Sequence, residues 1–189
     1  MQKKLARWTW IFKETTMTQT IPNVTFAFRQ GDEAPEEGGC PIGGEFVFKT
    51  TNDLFANKRV VVFSLPGAFT PTCSTYQLPG FEEQYNDFRA KGIDEIYCVS
   101  VNDAFVMNEW ARALNIKNVR VIPDGGYNFT RGMGMLIDMS HIGFGWRSRR
   151  YAAVINNGLV EHMFVEPESS AADPDPYSVS SPENVMKHL

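Results

Sequence analysis

Three short apolar runs constrain this chain most: Val60-Val61-Val62-Phe63, Ile96-Tyr97-Cys98-Val99-Ser100-Val101, and residues 119–122. Their length and β-branching suit strands covered on both faces, which belong inside a sheet. Between the first two runs, residues 74–91 read as a helix: Phe81, Tyr85 and Phe88 recur at spacings of four and three, with Glu82, Glu83, Asp87 and Arg89 between them. Gly92 ends that pattern. Pro79 falls inside it, lacks an N–H and crowds the preceding turn, so a kink or bulge is expected there. After the second run Asn102-Asp103 caps a helix over residues 105–114. Strand-helix-strand-helix order favours a largely parallel central sheet with helices on its faces.

The C-terminal part has a different rhythm. Residues 150–155 and 159–165 alternate as two strands around Asn156-Asn157-Gly158, whose tolerance of positive φ favours a tight hairpin. Residues 166–181 are rich in Pro, Ser and Asp and read as a surface loop, and residues 182–188 as a last helix with Pro182 in its first turn. Upstream, residues 21–28 read as an early strand, residues 30–44 as a loop containing Cys40, and residues 51–55 as a capped helical turn. With 189 residues the chain suits one core. A β-α-β-α half followed by a hairpin and a terminal helix describes an α/β, thioredoxin-like fold with a central mixed sheet flanked by helices. Residues 21–189 are that domain. Residues 1–20 are an N-terminal extension: Lys3, Lys4, Arg7 and Lys13 among Trp8, Trp10, Ile11 and Phe12 fit a membrane-surface or targeting helix, or sequence upstream of a biological start at Met17.

A net charge of −4 offers no general attraction to nucleic acid, and no apolar segment approaches the ~20 residues that cross a bilayer. Three cysteines, Cys40, Cys73 and Cys98, make a poor disulfide framework and fit a reducing compartment such as the cytoplasm. His141, His162 and His188 lie far apart, and no Cys/His pair has ligand spacing, so no metal is expected. Gly132-Met133-Gly134 lacks the third glycine and the strand-to-helix setting of a dinucleotide site; no cofactor is expected.

The chemistry points to one loop. Leu65-Pro66-Gly67-Ala68-Phe69-Thr70-Pro71-Thr72-Cys73 leaves the first buried strand and delivers a cysteine to a helix start. Helix N-termini carry unpaired N–H groups and favour a thiolate, and a nearby cation would favour it further. Acidity alone is a modest gain, since lowering a thiol pKa from ~8.5 to ~6 raises the thiolate at neutral pH about thirtyfold. Fast thiol chemistry also needs a positioned electrophile and donors for the leaving oxygen. The Thr70 hydroxyl, the backbone N–H groups of Thr72 and Cys73, and Pro66 as a wall against water suit a small oxygen electrophile. The bland alternative is an inert buried cysteine.

The order Pro66-x-x-x-Thr70-x-x-Cys73 resembles the peroxiredoxin active-site motif, and residues 65–75 with Leu78-Pro79-Gly80-Phe81 look like the peroxiredoxin-5 subfamily. Residues 99–106 with Glu109-Trp110, and Gly143-Phe144-Gly145 through Arg149-Arg150-Tyr151, are similar to that subfamily's other signatures, so the likeness spans about residues 21–165. The resemblance implies a peroxidatic Cys73 that attacks hydrogen peroxide and alkyl hydroperoxides, with Thr70 and Pro66 at the site. It also implies that Arg150 is the cation; spacing alone does not choose Arg150 over Arg147 or Arg149, whose default reading is exposed strand-end charge. A homodimer packed beside the active-site loops is expected from the family, and the apolar Phe69 fits it.

Animal members carry a late resolving cysteine where residues 177–180 stand here, and none is present. The expected cycle therefore uses one cysteine and an external reductant, glutathione with glutaredoxin or thioredoxin. Cys98 is the possible resolving residue, because its 25-residue separation from Cys73 matches a pair proposed in plant relatives; its place in a buried strand favours a core role. Two rivals remain: a non-enzymatic peroxide sensor or interaction protein using the same thiol, and a thiol-disulfide oxidoreductase, which would need a second cysteine where Ser74, Thr75 and Tyr76 stand.

Overall fold

The computed structural model describes residues 19–33 and 42–189; most of the N-terminal extension and Cys40 lie outside the described residues. Strands β1 (Thr25–Glu33) and β2 (Ile42–Thr50) pair antiparallel and lead through α1 (Thr51–Phe55) into β3 (Arg59–Leu65). A helical stretch follows as a π-helical turn (Cys73–Gln77), α2 (Leu78–Glu83) and α3 (Tyr85–Ala90). Next come β4 (Glu95–Ser100), α4 (Ala104–Ala113), β5 (Arg120–Pro123) and α5 (Asn128–Gly132). A small ribbon of β6 (Leu136–Asp138) and β7 (Trp146–Ser148), the hairpin β8 (Tyr151–Asn156) and β9 (Leu159–Val165), and α6 (Pro182–Met186) complete the order.

The central sheet runs β5-β4-β3-β8-β9, with β3, β4 and β5 parallel and β8 and β9 antiparallel. It is the expected mixed thioredoxin-like sheet. Strand parity divides the core into two layers. Val61, Phe63, Leu65, Cys98 and Ala152 face Leu78, Phe81, Phe88 and Trp110, while Val60, Val62, Tyr97, Val99 and Ala153 face Phe26, Phe55 and Phe129. Phe63 stacks on Phe81 at 4.1 Å between ring centroids, tying β3 to the helix that carries Cys73. The expected caps are present: Asp103 accepts from Phe105 N and Val106 N, and Asn157 (φ 48°) with Gly158 (φ 81°) turns the β8–β9 hairpin.

Three expectations needed correction. The early strand runs Thr25–Glu33 rather than 21–28, and its partner β2 occupies ground read as loop or left unassigned. Gly31, Gly43 and Gly44, all at positive φ, look like turn residues in sequence, yet they sit within the hairpin. The helix over 74–91 is not continuous: Gln84 (φ −93°, ψ 9°) breaks it between α2 and α3. The irregularity expected from Pro79 is the π-helical turn just before it, in which Leu78 N–H reaches back to Cys73 O. Among the described residues no helix is long and apolar enough to cross a membrane.

Candidate active site

The loop over residues 66–72 leaves the carboxyl end of β3, beside the carboxyl end of its parallel neighbour β4, where open α/β sheets place ligands. Asn102, just beyond β4, ties the two ends together: its Oδ1 accepts Ala68 N at 3.0 Å and the Ser100 hydroxyl at 2.7 Å. At Gly67 a Cβ would meet Thr70 Cγ2 at 3.4 Å and Arg147 Nη1 at 3.6 Å, ordinary contact distances, so the loop packs closely here. Phe69 adopts φ 60°, a left-handed conformation that costs a bulky residue about 1–3 kcal/mol, and it is exposed. The strain persists because the flanking bonds hold the loop, including Thr70 Oγ1 donating to Gly67 O at 2.8 Å. That bond uses the Thr70 proton and leaves its oxygen free to accept.

Thr72 has helical angles (φ −61°, ψ −38°), so its N–H and that of Cys73 lie in the first turn, where helical N–H groups lack partners within the helix. Cys73 is fully buried against the core. Its neighbour Ser74 accepts the indole N–H of buried Trp110 at 3.0 Å, so Trp110 packs and also braces this turn.

Arg150 lies 77 residues away in sequence and in hydrogen-bond contact in space: Nη1 is 3.4 Å from Cys73 Sγ. The sheet explains the encounter. Strand β8 runs antiparallel to β3 with Tyr151 opposite Ser64, so the residue before Tyr151 lies beside the start of the cysteine loop. Parity then selects among the arginines. Ala152 faces the cysteine layer and Tyr151 the other, so Arg150 points toward Cys73. Arg149 points away and donates to Glu166 O at 3.1 Å, while Arg147 donates to Val101 O at 2.9 Å. Neither is the free surface charge expected from sequence.

The Arg150 guanidinium is held on several sides. Nη1 also donates to Gln77 Oε1 at 2.5 Å, Nη2 donates to Asp175 Oδ1 at 2.5 Å, and the Tyr177 ring lies 5.8 Å from Arg150 Cζ. Burial alone would lower the Arg150 pKa; Cys73 and Asp175 outweigh it and hold the group above its ordinary value, so it stays cationic. Arg150 Nε and Gln77 Nε2 are buried without a protein acceptor. Sequence reading missed Gln77, Asp175, Tyr177 and Glu166. Gln77 had a signal, standing four residues after Cys73 on one helical face; the others had none, because only the fold returns their loop to Arg150.

Glu166 anchors that loop. Its N–H donates to Arg150 O, and its buried carboxylate accepts Ser178 N at 2.7 Å, Ser180 N at 2.8 Å and the Ser180 hydroxyl at 2.7 Å. Burial disfavours the charged carboxylate, but the bonds from Ser180 and Ser178 prevail and set its pKa below the ordinary value. Pro66 and Arg150 also border a cavity of about 640 Å³ beneath the loop. Cys98 lies on the Cys73 side of the sheet, opposite Phe63 in register; it is fully buried, and burial, with Cys73 adding, pushes its thiol pKa well up. Both cysteines are free thiols.

Comparison with known proteins agrees with this geometry. Residues 29–179 match the Redoxin family. The chain is 55% identical over 175 residues to a peroxiredoxin of Rhizobium etli, covering 92% of this chain and 96% of that one. It is 47% identical over 169 residues to the hybrid peroxiredoxin hyPrx5 of Haemophilus influenzae, covering 89% of this chain and 64% of that longer protein. Among solved structures, the Plasmodium falciparum antioxidant protein, a 1-Cys peroxiredoxin, superposes with a TM-score of 0.80 at 36% identity, covering 91% of this chain and 98% of that one. A buried thiol under an arginine donor, on a thioredoxin-like sheet and with relatives of this identity, places the chain in the peroxiredoxin family of thiol peroxidases, on the peroxiredoxin-5 side of it.

Proposed function

We propose that Cys73 is the peroxidatic residue of this peroxiredoxin. Its thiolate attacks one peroxide oxygen, the S–O bond forms as the O–O bond breaks, and the departing oxygen takes a proton and leaves as water or an alcohol. The product is Cys73 sulfenic acid. Arg150, with the first-turn N–H groups of Thr72 and Cys73, stabilises the charge passing from sulfur to the leaving oxygen. The Thr70 oxygen accepts the peroxide proton and orients it, and Pro66 keeps bulk water off the sulfur. The observation that carries this reading is the 3.4 Å approach of Arg150 Nη1 to Cys73 Sγ. Two buried donors without protein acceptors, Arg150 Nε and Gln77 Nε2, further support a small oxygen-bearing guest.

The reductant is an external thiol. It attacks the sulfenate sulfur to give a mixed disulfide and water, and a second thiol releases Cys73 with formation of the reductant's disulfide. Glutathione with glutaredoxin, or thioredoxin, fills this role. Burial and a raised pKa make Cys98 a poor resolving thiol. Exposed Phe69, Phe144 and Trp146 favour a homodimer, which sedimentation would detect as a species of twice the chain mass; a monomer at all concentrations removes it.

The test is peroxide consumption with each reductant, followed by non-reducing peptide mapping after one equivalent of peroxide. Cys73→Ser is expected to abolish turnover, and the map to show Cys73 oxidised without a bridge to Cys98. Turnover in Cys73→Ser refutes the assignment, and a Cys73–Cys98 peptide refutes the one-cysteine cycle.

A further inference from the structure

Asp175 is held against the catalytic arginine by a 2.5 Å ion pair, yet its side chain is 45% exposed where that of Arg150 is 3%. One carboxylate oxygen is engaged inward while the group as a whole faces the cavity of about 640 Å³ that borders Pro66 and Arg150. That volume lies within the ~300–1,000 Å³ typical of small-molecule sites. The wall is largely apolar, with Ile137, Met139 and Ile142 on one side and Pro174 and Pro176 on the other.

The charges around this wall are one-sided. Asp138, Glu168 and Asp175 line it as acids. Of the two arginines that line it, Arg149 donates to the neutral Glu166 O and keeps its charge, and Arg150 is paired with Asp175 and bonded to Gln77 and the sulfur. Glu166 also borders the cavity, but its carboxylate is turned into Ser178 and Ser180. His141 is exposed at the rim. The lining is net acidic even with both arginines counted, with Asp138, Glu166, Glu168 and Asp175 against Arg149 and Arg150, and the acid bonded to the Arg150 guanidinium is Asp175.

We propose that Asp175 is a specificity-determining residue: from the inner wall of this cavity its negative charge selects uncharged apolar hydroperoxides over those carrying a carboxylate. The proposal rests on Cys73 and Arg150 being the reacting pair, and it adds the class of organic body the site takes. The cavity wall receives that body beside Pro66, with the peroxide group directed to Arg150. Neutral substrates gain by burying apolar surface. Anionic ones lose the attraction that Arg150 would exert without Asp175, a difference of one unit charge about 6 Å away at an effective dielectric of ~40, which is about tenfold in rate ratio.

The test compares the rate of oxidation of the protein by cumene hydroperoxide and by its para-carboxylate analogue, in wild type, Asp175→Asn and Asp175→Glu. Hydrogen peroxide serves as the substrate without an organic body. Both rates come from one preparation, so partial misfolding or a general loss of activity cancels in their ratio. Asp175→Asn is expected to raise the carboxylate-to-neutral ratio about tenfold at low salt and less at high salt, and Asp175→Glu to keep the wild-type ratio. An unchanged ratio in Asp175→Asn overturns the proposal, including the case where all three peroxides slow together, which assigns Asp175 to holding Arg150 alone. Oxidation of Cys73→Ser by any of the peroxides at the wild-type rate would instead overturn the assignment of the reacting pair.

Discussion

At the scale of single residues, the site depends on how many partners one guanidinium can hold. Arg150 reaches Cys73 and Gln77 through Nη1 and Asp175 through Nη2, a planar fork that an ammonium cannot reproduce. Gln77 is the member on the cysteine's own helical turn, so it fixes the angle at which Nη1 meets the sulfur. Gln77→Leu removes a charge-assisted acceptor worth about 1.5–3 kcal/mol and leaves a buried N–H unmet. Its expected effect is a fall of about tenfold to a hundredfold in kcat/KM for hydrogen peroxide, together with a drop of several degrees in melting temperature; a melting shift without a rate change would make Gln77 a packing residue. Cys73, Thr70, Pro66 and the choice of loop were legible in sequence because one strand exit brings them together. Arg150 was legible from local pattern only as one of three arginines, since its partner lies 77 residues away.

At the scale of elements, the loop after β9 is what completes the site, and Glu166 holds it. The carboxylate is ionised in the folded protein at pH values where the unfolded chain would already bind a proton, because its folded pKa is depressed. The bonds to Ser178 and Ser180 therefore stabilise fully above the ordinary Glu pKa of about 4.3 and are lost as pH falls through the lower folded value. Amide exchange over residues 174–181 should accelerate selectively in that acid window. Glu166→Gln should show the faster exchange already at neutral pH, at a cost of about 1–3 kcal/mol; exchange unchanged in the variant would show the loop is held by other contacts. The sequence marked this segment as a surface loop correctly and missed its purpose, because Asp175 and Tyr177 carry no periodic signal. The β1–β2 hairpin was misread for the opposite reason: Gly31, Gly43 and Gly44 carry a strong turn signal within strands.

At the scale of the whole molecule, the sheet register creates the chemistry. Pairing Tyr151 with Ser64 sets Arg150 beside the cysteine loop, and a slip of one residue would turn it to the opposite layer. The buried runs of β3 and β4 were readable as strands because both their faces are covered, whereas β8 was read as an alternating hairpin strand and proves buried on both faces. Their order and the antiparallel sense of β8 came from the fold class rather than from any single run. The most direct measurement is the second-order rate of Cys73 oxidation by hydrogen peroxide in wild type and Arg150→Ala, followed by stopped flow. Removing one preorganised donor from a developing oxyanion costs about a hundredfold to a thousandfold. A fall of that size in Arg150→Ala, with the fold intact, is the expected result; a rate within threefold of wild type would contradict the central role of the Arg150–Cys73 pair.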